Sequence, residues 1–85
     1  MRALQIRNHV RKEPFEPIRI HISDGSHYDV RHPEMIFVTQ FEIAIGVDPS
    51  EDDLPTRMIF CDPIHVTRIE PINGRKPRTP RKRKP

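Results

Sequence analysis

The sequence of 85 residues contains a single cysteine and no tryptophan. One cysteine excludes a framework of disulfides within the chain and is typical of proteins in a reducing compartment. No apolar run approaches the length that spans a membrane, and residues 1–9 lack the continuous apolar stretch of a secretory signal. We therefore expect a cytoplasmic protein.

Patterns typical of catalysis and metal binding are also lacking. The sequence has five histidines but no Cys-x-x-Cys or His-Glu-x-x-His spacing, so we expect histidines that face solvent. Cys61 precedes an aspartate, which disfavours the thiolate that a nucleophile needs. The acidic residues 48–53 lack the spacing and the glycine of an EF-hand calcium loop. We expect no enzymatic activity, no metal and no cofactor.

Acidic residues are absent beyond Glu70. Residues 1–73 hold eight basic and twelve acidic side chains, a net charge of −4, although the whole chain carries +3. Apart from Gly74 and Thr79, residues 74–85 are proline, arginine and lysine, a composition that cannot bury a core. We call residues 74–85 the basic tail and expect it to be disordered. Its seven basic residues are Arg75, Lys76, Arg78, Arg81, Lys82, Arg83 and Lys84.

The basic tail is the feature that most favours a function. Cations at this density can neutralise phosphate groups without a fold, which predicts binding to RNA or another nucleic acid. No aromatic side chain lies among them, so the tail offers no stacking onto bases and should bind independently of sequence. A tail that only improves solubility, or one that binds an acidic protein, remains an alternative.

A β-hairpin is predicted in the first third of the chain. Apolar and polar residues alternate over residues 18–23, which is the period of a half-buried strand. Asp24 and Gly25 then form a common tight-turn pair, and the alternation resumes over residues 27–31.

A short helix is predicted before the hairpin, over residues 2–12. Ala3, Ile6 and Val10 share one helical face, which Leu4 widens. A strand that runs into the hairpin is the competing interpretation.

Short strands fill the rest of residues 1–73. Residues 35–38 either continue the second strand after a bulge or form their own strand. Alternation over residues 41–47 directs Phe41, Ile43, Ile45 and Val47 to one side. These strands predict a mostly β domain, a small closed or half-closed barrel of five strongly bent antiparallel strands, in which closure removes exposed edges. The remaining strands cover residues 57–61 and 64–69, and the predicted core includes Ile20, Val30, Ile43 and Phe60.

The order of these elements resembles the Sm-like fold of bacterial Hfq and the Lsm proteins, which form rings that bind RNA. The stretches Pro-Phe-Glu-Pro-Ile-Arg-Ile-His-Ile-Ser-Asp-Gly and Val-Arg-His-Pro also resemble a group of small bacterial proteins. Cys61-Asp62-Pro63 stands where Hfq has the Lys-His pair of its uridine pocket, so no residue of that pocket is carried over.

The resemblance implies a small Sm-like or SH3-like barrel whose fourth and fifth strands pair between neighbours. Residues 58–61 are apolar on both faces of their strand, which also predicts a homo-oligomer. We expect a non-enzymatic protein that associates with nucleic acid through the basic tail. The alternative is an interaction or assembly module that docks on a larger complex through a strand edge.

Overall fold

The computed structural model describes residues 1–72, which form one helix and six strands. The strands make two antiparallel sheets, with the order β2-β1-β6 in sheet A and β3-β4-β5 in sheet B. The predicted class, mostly β after a short helix, is confirmed.

The basic tail lies outside the described residues, and the domain boundary at residue 73 stays a prediction. The elements are α1 (Ala3–Val10), β1 (Ile18–Ile22), β2 (His27–Val30), β3 (Ile36–Val38), β4 (Ile43–Pro49), β5 (Pro55–Cys61) and β6 (Val66–Pro71).

The helix lies within its predicted range. Ile6 is fully buried, and Ala3 and Val10 are half-buried beside it, which confirms the predicted face. Leu4 is exposed instead of widening that face. Leu4 borders an open cleft, so the core contacts only a narrow stripe of α1.

The predicted hairpin is confirmed by the pairing of β1 with β2, in which Ile18 lies opposite Val30. Gly25 adopts a φ of 94°, a conformation that favours glycine in the turn. The Ser26 N–H donates to Oδ1 of Asp24 at 2.9 Å and fixes the chain after the turn. β1 also pairs with β6, so it is the central strand of sheet A.

The predicted barrel does not close, because its strands form two separate three-stranded sheets. A 3₁₀ turn at Pro33–Met35 separates β2 from β3, and Pro33 has no N–H to donate to a ladder. β2 therefore ends in sheet A, and β3 begins as a separate strand of sheet B. β5 and β6 lie at the ends of different sheets, joined by the 3₁₀ turn Pro63–His65.

The core lies between the sheets and under α1. Ile20, Val30 and Ile43 are completely buried, as predicted. Phe15 packs against this core from the segment that joins α1 to β1. The buried apolar residues are Ile6, Ile18, Ile20, Val30, Met35, Ile36, Ile43, Ile45, Val47 and Val66.

Two phenylalanines that the sequence placed on the inner side of their strands face outward. Phe60 is 65% exposed, so its predicted core position is wrong. The pairing of β4 with β5 sets Ile59 opposite buried Ile45 and sets Phe60 opposite Ala44, on the outer face of sheet B. Phe41 is 76% exposed because it lies in the turn before β4 rather than within the strand.

Candidate nucleic-acid interface

The point from which the basic tail continues is fixed by sheet A. β6 ends at Pro71 opposite Ile18, the first residue of β1. The Ile72 N–H donates to the carbonyl oxygen of Pro17 at 3.2 Å. The predicted binding residues follow this anchor and lie outside residues 1–72; they are Arg75, Lys76, Arg78, Arg81, Lys82, Arg83 and Lys84.

Polar side chains on sheet A hold β6 in place near this anchor. Nε2 of His21 on β1 lies 2.7 Å from Oε1 of Glu70 on β6, and Nη2 of Arg68 lies 3.7 Å from the same oxygen. The hydrogen bond from His21 holds the pKa of the Glu70 carboxyl below its usual range, and Arg68 adds to this effect. The strand that precedes the tail is therefore fixed by polar contacts as well as by its ladder.

Within the described residues, the first twelve form a segment of net positive charge. They hold four basic and no acidic side chains, whereas residues 13–72 hold four basic and twelve acidic ones. Arg2, Arg7 and Arg11 are exposed along α1. The rest of the fold would repel phosphate on average, so α1 is the surface that a polyanion would contact first.

An open cleft of about 650 Å³ lies beside α1. The 3₁₀ turn Pro63–His65 and the turn before β4 form its other walls, and exposed Phe41 and Ile64 border it. Gln5, Asn8 and Gln40 place amide groups along the cleft. An exposed aromatic ring can stack on a base, and amides can bind base edges, so this cleft suits a single-stranded nucleotide chemically.

Hydrogen bonds to the Thr39 side chain explain why Phe41 projects outward. The Thr39 hydroxyl oxygen accepts from the backbone N–H of Phe41 at 3.3 Å and of Glu42 at 2.9 Å. These bonds close a turn that ends β3 and begins β4 two residues after Phe41. The aromatic ring is therefore presented at the cleft.

Asp62 places one acid in the cleft. Its Oδ1 accepts from the Ile64 N–H at 3.0 Å and caps the 3₁₀ turn. The sequence shows this acid at the turn but gives no sign that Phe41 lies beside it. Phe41, Gln40 and α1 meet only through the tertiary fold, and the one sequence signal was an aromatic residue two positions after a threonine.

The side chains that could bind a metal ion do not cluster within residues 1–72. Within residues 1–72 there is no group of three histidine, cysteine or acidic side chains that could hold a metal ion. Cys61 is half-buried, and burial, with a contribution from Asp62, raises the pKa of its thiol. His32 lies 3.7 Å from Asp53, in an exposed pair.

No known protein family, curated protein or solved structure matches this chain. In the part of the chain that the structure covers, no helix is both long enough and apolar enough to cross a membrane. A function must therefore be inferred from the charge, surface and topology of the chain itself.

Proposed function

We propose that this chain is a non-enzymatic, cytoplasmic, Sm-like protein that associates with RNA or another nucleic acid, mainly through its basic tail. The observation that carries the proposal is the separation of charge. Residues 1–72 have a net charge of −4, and seven basic residues follow within residues 75–84. Each cation that neutralises a phosphate releases a condensed counterion, and this release favours binding.

The surface of the fold adds to this function at α1. Its arginines extend the positive charge, and Phe41 and the amides beside it offer contacts to bases that the tail lacks. The tail would supply most of the affinity, because Asp62 and the net negative charge of residues 1–72 oppose binding to the fold alone.

The sheet order supports the proposed likeness to the Sm-like fold and a homo-oligomer. Within residues 1–72, β5 pairs only with β4, and β6 pairs only with β1, so each leaves one edge free. Free edges favour pairing with another chain. Exposed Met58 and Phe60 on β5 would lose part of their contact with water in such an assembly. Light scattering at about 100 µM should find more than one copy per particle, and a monomer would contradict the assembly.

Fluorescence anisotropy with a random single-stranded RNA tests the proposal. The full chain is compared with a neutral-tail variant in which all seven basic residues of the tail are replaced by glutamine. The substitutions should nearly abolish binding. The slope of log K against log salt should approach about −5 for the unaltered chain, since each of seven phosphate contacts contributes about −0.7.

A variant with the same tail composition in shuffled order is the matched control. It should bind like the unaltered chain, because phosphate contacts carry no sequence information. Full binding by the neutral-tail variant, or binding that ignores salt, would contradict the role of the tail. That result would move the site to the cleft beside α1.

A second function, an assembly module that docks on a larger complex, is favoured by the outer face of sheet B. Phe37 and Phe60 lie on either side of Ala44 there and are both exposed. Apolar side chains grouped on a surface mark a place where a protein can bind. A chain that is monomeric in light scattering and binds no RNA would support this function over the first.

A further inference from the structure

We propose that a cavity at the junction of the two sheets binds a small zwitterion, an α-amino acid with an apolar side chain. The cavity shares no lining residue with the cleft beside α1, so this ligand goes beyond the association with nucleic acid and does not depend on it. Three features of the cavity support this ligand: an apolar part, two oppositely charged side chains that form no hydrogen bond, and aromatic rings beside them.

The cavity has a volume of about 320 Å³ and lies where β2 of sheet A meets the end of β4 in sheet B. Ligand pockets occupy about 300–1,000 Å³, so this cavity suits a small molecule. Met35, Val47 and Pro49 form its apolar part, and the first two are buried in the fold. A ligand with a short hydrocarbon side chain would lose contact with water there, which favours binding.

Two carboxylates of the lining already have strong partners. Nε and Nη2 of Arg19 donate to the two carboxylate oxygens of Asp29 at 2.8 and 3.2 Å. Nε of Arg57 donates to Oδ2 of Asp48 at 2.7 Å. Hydrogen bonds between charged groups are strong, so these two carboxylates are the less available ones for a ligand.

Arg31 and Asp53 also line the cavity, and their side chains form no hydrogen bond within residues 1–72. Nη2 of Arg31 lies 3.7 Å from Oδ2 of Asp29, and Oδ2 of Asp53 lies 3.7 Å from Nε2 of His32, both beyond hydrogen-bond distance. Arg31 is next to His32 in the chain, and Asp53 is next to it in space. A guanidinium binds a carboxylate, and a carboxylate binds an ammonium group. These two charges therefore complement a zwitterion, whereas a simple anion or cation would leave one of them unpaired.

Aromatic rings complete the lining at His27, Tyr28 and His32. Tyr28 is half-buried and packs against the core. The face of a tyrosine ring attracts an ammonium group, and its hydroxyl can donate or accept a hydrogen bond. The rings favour an ammonium group on an apolar body over an inorganic ion.

A titration of the isotope-labelled full chain with L-leucine, followed by amide NMR, tests the proposal. Saturable shifts should appear at Tyr28, Met35 and Val47, with an affinity in the millimolar range because so small a ligand makes few contacts. The chain has one tyrosine and no tryptophan, so tyrosine fluorescence gives a second reading from the cavity. The absence of saturable shifts, or shifts confined to the cleft beside α1, would overturn the proposal.

Two analogues of leucine test whether both charges are needed. Isocaproate lacks the ammonium group of leucine, and isoamylamine lacks its carboxylate. Each should bind at least about 10-fold more weakly than L-leucine, since a hydrogen bond to a charged group supplies that much. If either analogue binds as tightly as L-leucine, the cavity is a site for a simple anion or cation, and the zwitterion is excluded.

Substitutions assign each charge of the ligand to its residue. Asp53→Asn should weaken the binding of L-leucine by about 10-fold and leave isocaproate unchanged, because isocaproate has no ammonium group. Arg31→Gln should weaken L-leucine similarly and leave isoamylamine unchanged. Asp53 has a φ of 64°, which asparagine also tolerates, so the loop should keep its conformation.

Asp52→Asn and Arg11→Gln are the matched controls, since both residues are exposed and lie outside the cavity. Both control variants should bind L-leucine like the unaltered chain, and so should the neutral-tail variant. Equal losses in the controls and in the cavity variants, or no loss in the cavity variants, would overturn the proposal. Failure of L-leucine to bind while RNA binding still needs the basic tail would leave the proposed function intact.

Discussion

The substitution Ile43→Ala measures how far the fold depends on the space between the two sheets. Ile43 is 0% exposed and lies on β4, the central strand of sheet B, between Val38 and Cys61. Loss of three buried carbons costs about 2.4 kcal/mol, at about 0.8 kcal/mol each. The cavity left behind adds to that cost, so the free energy of unfolding should fall by about 2–5 kcal/mol.

Urea unfolding followed by circular dichroism measures this change, at one protein concentration so that assembly does not shift the comparison. Leu4→Ala is the matched control, since it removes the same number of carbons from a side chain that is 61% exposed. It should change the free energy of unfolding by no more than about 0.5 kcal/mol. A loss below about 0.5 kcal/mol for Ile43→Ala, or a loss as large for Leu4→Ala, would refute the assignment of the core.

Two further substitutions test local features of the sheets. Gly46→Ala should lower the free energy of unfolding by about 1–3 kcal/mol, measured from urea midpoints, because its new Cβ would lie 2.7 Å from Cβ of Pro55 in a rigid ring. The hydrogen bond from Arg19 holds the pKa of Asp29 below its usual range, so this carboxylate stabilises the fold above about pH 4 and loses that effect as the pH falls through its folded pKa. Asp29→Asn should therefore be less stable than the unaltered chain at neutral pH, and urea midpoints from about pH 7 to pH 3 should show a smaller loss in acid. Equal pH profiles for the two proteins would contradict this role.

The sequence predicted the elements whose signal is local. The helix and the first hairpin follow from the spacing of apolar residues and from the pair Asp24-Gly25, and both are present. The buried face of each element was also predictable, because polar residues occupy the opposite face. Ile20 and Val30 are buried for this reason.

The orientation of β5 could not be predicted, because residues 58–61 are all apolar. The alternation therefore does not show which face of the strand is buried, and either Ile59 or Phe60 could point into the core. The choice is made by pairing with β4, which sets Ile59 opposite Ile45. A shift of one residue in the pairing of β5 with β4 would exchange the two faces of β5. Where a strand is apolar on both faces, its pairing with a distant strand therefore decides which side chains are buried.

The sequence could neither predict the candidate cleft nor decide whether the barrel closes, and the two reasons are related. The cleft needs α1, Phe41 and Ile64 to meet, and these lie far apart in the chain. Closure of the barrel depends on whether the last two strands pair with each other. No local pattern reports this. A separate strand over residues 35–38 was one of two alternatives that the sequence left open, and the 3₁₀ turn Pro33–Met35 decides in its favour.

The free edge of β5 connects the lack of barrel closure with the proposed homo-oligomer. An edge strand with Met58 and Phe60 exposed tends to pair or aggregate, and a protein normally blunts such an edge with charge, proline or a covering segment. Within residues 1–72, no strand covers the free edge of β5. The proposed homo-oligomer would cover this edge and shield exposed Met58 and Phe60 from water.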